Sequence, residues 1–111
     1  MTDAIEVTTT ASSKDEAQRI AVALVERRLA ACVQVQGPIA STYWWEGKIE
    51  TSEEWRCVAK TRRQLFDRVE AAIRQLHSYQ TPEILAVRVA AGSAAYLKWM
   101  QDELLTLPSS E

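Results

Sequence analysis

A pair of strand-forming segments around a glycine turn constrains this chain more than any other feature. Residues 32–36 and 39–46 read as one strand, interrupted at Gly37-Pro38 by a bend or bulge. Gly47 turns the chain, and residues 49–61 return with Trp55, Cys57 and Ala59 on one face. A hairpin over about residues 32–61 is longer than the strands on either side of it. Its tip projects past a domain of this size and exposes backbone edges and aromatic rings. Such edges invite pairing with another chain, so the hairpin predicts an oligomer.

The flanking segments supply the rest of an α+β domain. Residues 4–10 alternate Ile5 and Val7 with Glu6 and Thr8, as a strand does. Ser13 and Glu16 have the spacing of a capping box, opening a helix to about residue 30 that carries Ala17, Ile20, Ala21 and Leu24. Residues 61–77 predict a second helix, with Leu65, Phe66, Val69, Ala72, Ile73 and Leu76 as its apolar stripe. Thr61 and Gln64 are spaced for another capping box. Residues 84–90 predict a fourth strand, and Ser93 caps a third helix bearing Tyr96, Leu97, Trp99, Met100 and Leu104. The order β-α-β-β-α-β plus a helix is the ferredoxin-like arrangement: one antiparallel four-stranded sheet with two helices on one face. A single domain is expected over residues 1–111, with 105–111 as a flexible tail.

Charge and composition exclude several functions. With 13 basic and 15 acidic residues the net charge is −2, which gives no attraction to a phosphate backbone, so no nucleic-acid partner is expected. No run approaches a membrane span, and residues 1–4 lack the basic start of a secretory signal, so the expected location is cytoplasmic. Cys32 and Cys57 suit a reducing compartment and form no C-x-x-C pair.

Few residues carry candidate chemistry. There is no nucleophile elbow, zinc-protease motif or phosphate-binding glycine loop, and one histidine gives no nucleophile–base pair, so no enzymatic activity is expected. Tyr43, Trp44 and Trp45 precede the turn, Tyr43 and Trp45 on one face and Trp44 on the other. They suit a subunit interface, and Tyr43 and Trp45 also suit the wall of a ligand cleft between subunits. His77 closes the second helix, where it serves as a C-terminal cap or as a ligand beside Tyr79 and Glu83. If the hairpin turns at Gly47, Cys57 lies opposite about Gly37, roughly 17 Å along the strand from Cys32, too far to share a metal within one chain. Lys60, beside Thr61-Arg62-Arg63 at a helix start, forms either a solvated charge cluster or an anion site.

These residues fall into a recognisable series. Leu29-Ala30-Ala31-Cys32-Val33, Ser41-Thr42-Tyr43-Trp44-Trp45-Glu46-Gly47-Lys48-Ile49, Glu54, Lys60-Thr61, His77-Ser78-Tyr79-Gln80-Thr81-Pro82-Glu83-Ile84 and Tyr96-Leu97-x-Trp99 resemble the successive signatures of the CutA divalent-cation-tolerance family over about residues 5–104. The resemblance implies a ferredoxin-like homotrimer built through the long hairpins, cytoplasmic, and associated with copper and other divalent cations. It also implies an architecture similar to PII signalling proteins, which bind small effectors in clefts between subunits. On that likeness a polar or anionic ligand is expected near Tyr43, Trp45, Lys60, Tyr79 and Glu83. His77 matches the histidine of the family's His-x-Tyr-x-x-Pro pattern and is the first metal candidate, with Cys32 the second. Ser78 stands where the family usually has proline. Thr9 and Leu76 stand where some members carry a cysteine and a second histidine, so a copper site built from those two ligands is absent.

Overall fold

The computed structural model describes residues 2–107. The elements are β1 (Ala4–Ala11), α1 (Lys14–Glu26), β2 (Cys32–Trp45), β3 (Lys48–Arg62), a 3-10 turn (Arg63–Leu65), α2 (Phe66–Leu76), β4 (Leu85–Arg88) and α3 (Ala94–Glu103). The sheet order is β2-β3-β1-β4, with each neighbouring pair antiparallel. This is the ferredoxin-like α+β fold the sequence predicts.

Strand alternation sorts the side chains. Ile5, Val7, Thr9 and Ala11 of β1 share a face with Cys57, Ala59 and Thr61 of β3, and all are buried. Ile20 and Leu24 of α1, Leu65, and Val69 and Ile73 of α2 are wholly buried in the core. Each such side chain contributes roughly 1.5–3 kcal/mol, which outweighs the weak intrinsic stability of helices this short. The other face carries Cys32, Val58, Lys60, Leu85 and Val87 and stays partly or fully exposed.

Helix boundaries are where local signals gave way. Ser13 caps α1 as predicted, its Oγ accepting the Glu16 amide at 3.1 Å. The helix stops at Glu26 and not near residue 30. Arg28 turns left-handed at φ 57°, and the amides of Leu29 and Ala30 both donate to the Leu24 carbonyl. That backbone costs about 1–2 kcal/mol for a non-glycine residue. Arg28 Nη1 offsets it by donating to the backbone and side-chain oxygens of Glu103 at 3.0 and 3.1 Å, joining the end of α1 to α3. The capping box expected at Thr61 and Gln64 does not form. Thr61 is wholly buried within β3 opposite Ile5, and α2 starts through the 3-10 turn without a side-chain cap.

The hairpin is as long as predicted, with a different register. Glu46 and Gly47 both have positive φ, 49° and 80°, the signature of a two-residue type I′ turn. Pairing runs from Trp45↔Lys48 to Ile39↔Glu54, then resumes at Gln36↔Arg56. Gly37 and Pro38, joined by a cis peptide, bulge against Trp55 alone. A Cβ on Gly37 would lie 2.6 Å from Trp55 Cδ1, so only glycine fits. The bulge moves Cys57 opposite Val35 and not Gly37. Cys32 and Cys57 are thus only about 10 Å apart along the strands, but they project from opposite faces.

The hairpin tip stands clear of the core and stretches the chain to 47 × 28 × 24 Å. Trp44 is 72% exposed and its cross-strand partner Ile49 63%. Ser93 caps α3 as predicted, accepting from the Tyr96 amide, while Met100 and Leu104 pack inward and Tyr96 and Trp99 stay exposed. Of the tail expected over 105–111, Leu105 donates its amide to Arg28, and Leu105 and Leu107 pack against the core. Residues 108–111 lie outside the described residues.

Candidate functional site

One buried polar network ties the loop after α2 to β1, α1 and β3. His77 ends α2 in an extended conformation, its amide donating to Ile73, which aims the ring inward instead of over the helix end. Its side chain is fully buried. Nε2 lies 2.6 Å from the Thr10 carbonyl oxygen, and Nδ1 lies 3.0 Å from the Tyr79 amide nitrogen. A carbonyl can only accept and an amide can only donate. The ring is therefore the neutral tautomer protonated at Nε2.

Glu16 supports the same loop. Its carboxylate accepts from the Ser78 amide at 2.8 Å and the Ser78 hydroxyl at 3.0 Å, and lies 3.4 Å from His77 Nδ1. Burial alone pushes this carboxyl up. The two Ser78 bonds, with the nearby charge of Arg19, outweigh it and hold Glu16 below its ordinary value. Ser78, where the family usually has proline, supplies both donors; a proline there has neither.

Tyr79 carries the network to the hairpin. Its hydroxyl donates to Glu54 Oε2 at 2.8 Å. Burial, then that bond and the charge of Glu54, push the phenol up to about 12. Two residues along β3, Ser52 Oγ lies 3.0 Å from Tyr43 Oη. Tyr79, Glu54, Ser52 and Tyr43 form a polar ledge along the outer half of the hairpin.

The predicted cleft residues therefore do not converge within one chain. Tyr43 and Tyr79 share the ledge. Trp45 lies nearer the tip, 58% exposed, and Glu83 is exposed on the loop before β4. Lys60 is about 20 Å along β3 from Glu54, its Nζ 5.6 Å from the Tyr96 ring centroid. Only a second subunit can bring these groups to one place.

The metal candidates also fail to meet within one chain. Both His77 nitrogens face protein partners, the Thr10 carbonyl and the Tyr79 amide, and the ring clamps the loop after α2. Cys57 donates to the Ala17 carbonyl at 3.4 Å, and burial, then the charge of Glu16, pushes the thiol up to about 11, the reverse of what a thiolate ligand needs. Cys32 is half-buried on the opposite face. Among the described residues no three His, Cys, Asp or Glu side chains are grouped to hold an ion. The residues of a single chain do not fit a copper centre.

Glu16 and Glu54 are the site residues that sequence reasoning missed. Glu16 had a signal: it heads the i, i+4 row Glu16, Ile20, Leu24 on the apolar face of α1. Its capping-box spacing hid that signal. Glu54 stands in the series that resembles the family, but its burial and its bond to Tyr79, 25 positions away, had no local signal.

A family model described as the CutA1 divalent ion tolerance protein matches residues 5–103. The chain belongs to the CutA1 family. The divalent-cation tolerance protein CutA of Archaeoglobus fulgidus is 44% identical over 93 residues, covering 84% of this chain and 90% of the relative. Its solved structure, described as a periplasmic divalent cation tolerance protein, matches at a TM-score of 0.88 and 41% identity, over 90% of this chain and 97% of that one. CutA from Xylella fastidiosa matches at a TM-score of 0.90 and 36% identity, over 92% of this chain and 98% of that chain. Protein CutA 1 of Oryza sativa, described as chloroplastic, is 36% identical over 98 residues, 88% of this chain, which spans about half (55%) of that relative. Among the described residues no helix is long and apolar enough to cross a membrane.

Proposed function

We propose that this CutA1-family chain works as a cytoplasmic, non-enzymatic homotrimer in divalent-cation tolerance, holding copper or another divalent cation between subunits and not inside one. The observation that carries this is the hairpin. Tyr43, Trp44, Trp45 and Ile49 are each more than 40% exposed on strands that leave the core. Clustered aromatics of this kind favour an interface over a solvated surface. Cys32, half-buried on the open sheet face, is the soft donor that assembly can bring to its symmetry mates. Sedimentation equilibrium with copper calorimetry on the same sample tests the reading. The expected result is a trimer with fewer than one copper site per chain, lost in Cys32→Ser and retained in His77→Gln. A monomer, or one site per chain that depends on His77, overturns it.

The ledge supports a second reading, a PII-like sensor. Tyr43 and Tyr79 on this ledge would meet Trp45, Lys60 and Glu83 of other subunits around a small polar or anionic ligand. Intrinsic tryptophan fluorescence that responds to a metabolite, and not to copper, distinguishes it from the first.

A further inference from the structure

A cleft of about 1250 Å³ opens where α3 crosses the end of the sheet, away from the His77 network. Its lining joins the start of β1, the ends of β3 and β4, and one side of α3. Four cationic side chains border it: Arg62 ending β3, Arg63 opening the 3-10 turn, Arg88 ending β4, and Lys98 on α3. Only two acids, Asp3 and Asp102, accompany them, and Asp102 is taken up by Lys98 at 2.8 Å. The whole chain is net negative, so this is a local concentration of positive charge in a concave site, which focuses a field toward anions.

Arg62 is preorganised for such a partner. Its Nη2 donates to the Leu105 carbonyl at 2.6 Å, which fixes the guanidinium plane. Its Nε is buried and, among the described residues, has no hydrogen-bond partner. The same holds for Oγ1 of Thr61, a wholly buried residue that also lines the cleft. An arginine held in place by one bond and only partly buried suits the paired oxygens of a phosphate or carboxylate.

We propose that this cleft binds a small polyanionic metabolite, one carrying clustered phosphate or carboxylate groups, with Arg62, Arg63 and Arg88 as its principal contacts. The site lies apart from the Tyr43–Tyr79 ledge and does not depend on it. Calorimetry with the assembled, metal-free protein at low salt (about 50 mM) tests it, using tripolyphosphate and citrate as probes. Tripolyphosphate is expected to bind, and Arg63→Gln and Arg88→Gln each to raise Kd about tenfold. Both positions are exposed, so the variants keep the fold. Tighter binding of citrate than of tripolyphosphate also supports the site and assigns a carboxylate ligand. No heat from either probe at millimolar concentration overturns the proposal, as does binding unchanged in both variants. A structure of the oligomer with the partner's acidic hairpin filling the cleft overturns it as well.

Discussion

His77 Nε2 lies 2.6 Å from the carbonyl oxygen of Thr10, joining the end of α2 to the end of β1 across 67 positions of sequence. The bond requires a proton on Nε2 and leaves Nδ1 to accept the Tyr79 amide. His77→Ala strands a buried carbonyl and a backbone amide, which costs about 2–6 kcal/mol at 1–3 kcal/mol for each unpaired group. Denaturant unfolding checks this, and copper stoichiometry on the same variant is expected to match the parent.

Glu16 gives the fold a defined acid response. Its folded carboxyl titrates below the ordinary value of 4.5. The unfolded chain therefore takes up that proton first as pH falls. The stabilisation from Glu16 is complete above pH 4.5 and is lost as pH falls through the lowered folded value. Glu16→Gln is expected to be less stable than the parent at pH 7 and to lose less stability on acidification. Parallel pH profiles for the two proteins would contradict this.

Gly37 and Gly47 are needed for different reasons. A methyl group on Gly37 meets Trp55 Cδ1 at 2.6 Å, Trp55 Cγ at 2.8 Å and the Glu54 carbonyl at 3.1 Å. Gly37→Ala is expected to cost about 1–3 kcal/mol, as overpacking does, and to shift tryptophan emission. Gly47 has open space around it and φ +80°, so Gly47→Ala costs about 1–2 kcal/mol of backbone strain and leaves the emission unchanged. Thermal melts followed by fluorescence separate the two.

Trp44 and Ile49 face each other across the hairpin and are the most exposed large apolar pair on it. Trp44→Ser with Ile49→Ser is expected to weaken self-association by about 2 kcal/mol or more, roughly thirtyfold, while the circular dichroism of the subunit stays unchanged. Light scattering across a dilution series reads the shift. An unaltered oligomer at all concentrations removes this face from the interface.

The parts of the fold legible beforehand rested on short-range physics. Ser13 and Ser93 cap helices through hydroxyls that reach amides three residues on. Alternation along β1 and β3 settled which residues enter the core. Register was not legible, because nothing local states that Gly37 and Pro38 stand against one residue, Trp55. Arg28 was not legible as a helix stop, because its left-handed backbone is held by Glu103, 75 positions away.

The long aromatic hairpin shows the same division. The sequence by itself determined its length, its turn at Gly47, the order of elements around it and the residues that mark the family. Those depend on dihedral preference and side-chain period, which act over a few residues. Only the tertiary structure decided that His77 bonds to Thr10 and Tyr79 and clamps a loop, that Cys32 and Cys57 look to opposite sides, and that Arg62, Arg63, Arg88 and Lys98 share one cleft. Each of these depends on groups far apart in the chain, and packing alone sets the distance between them.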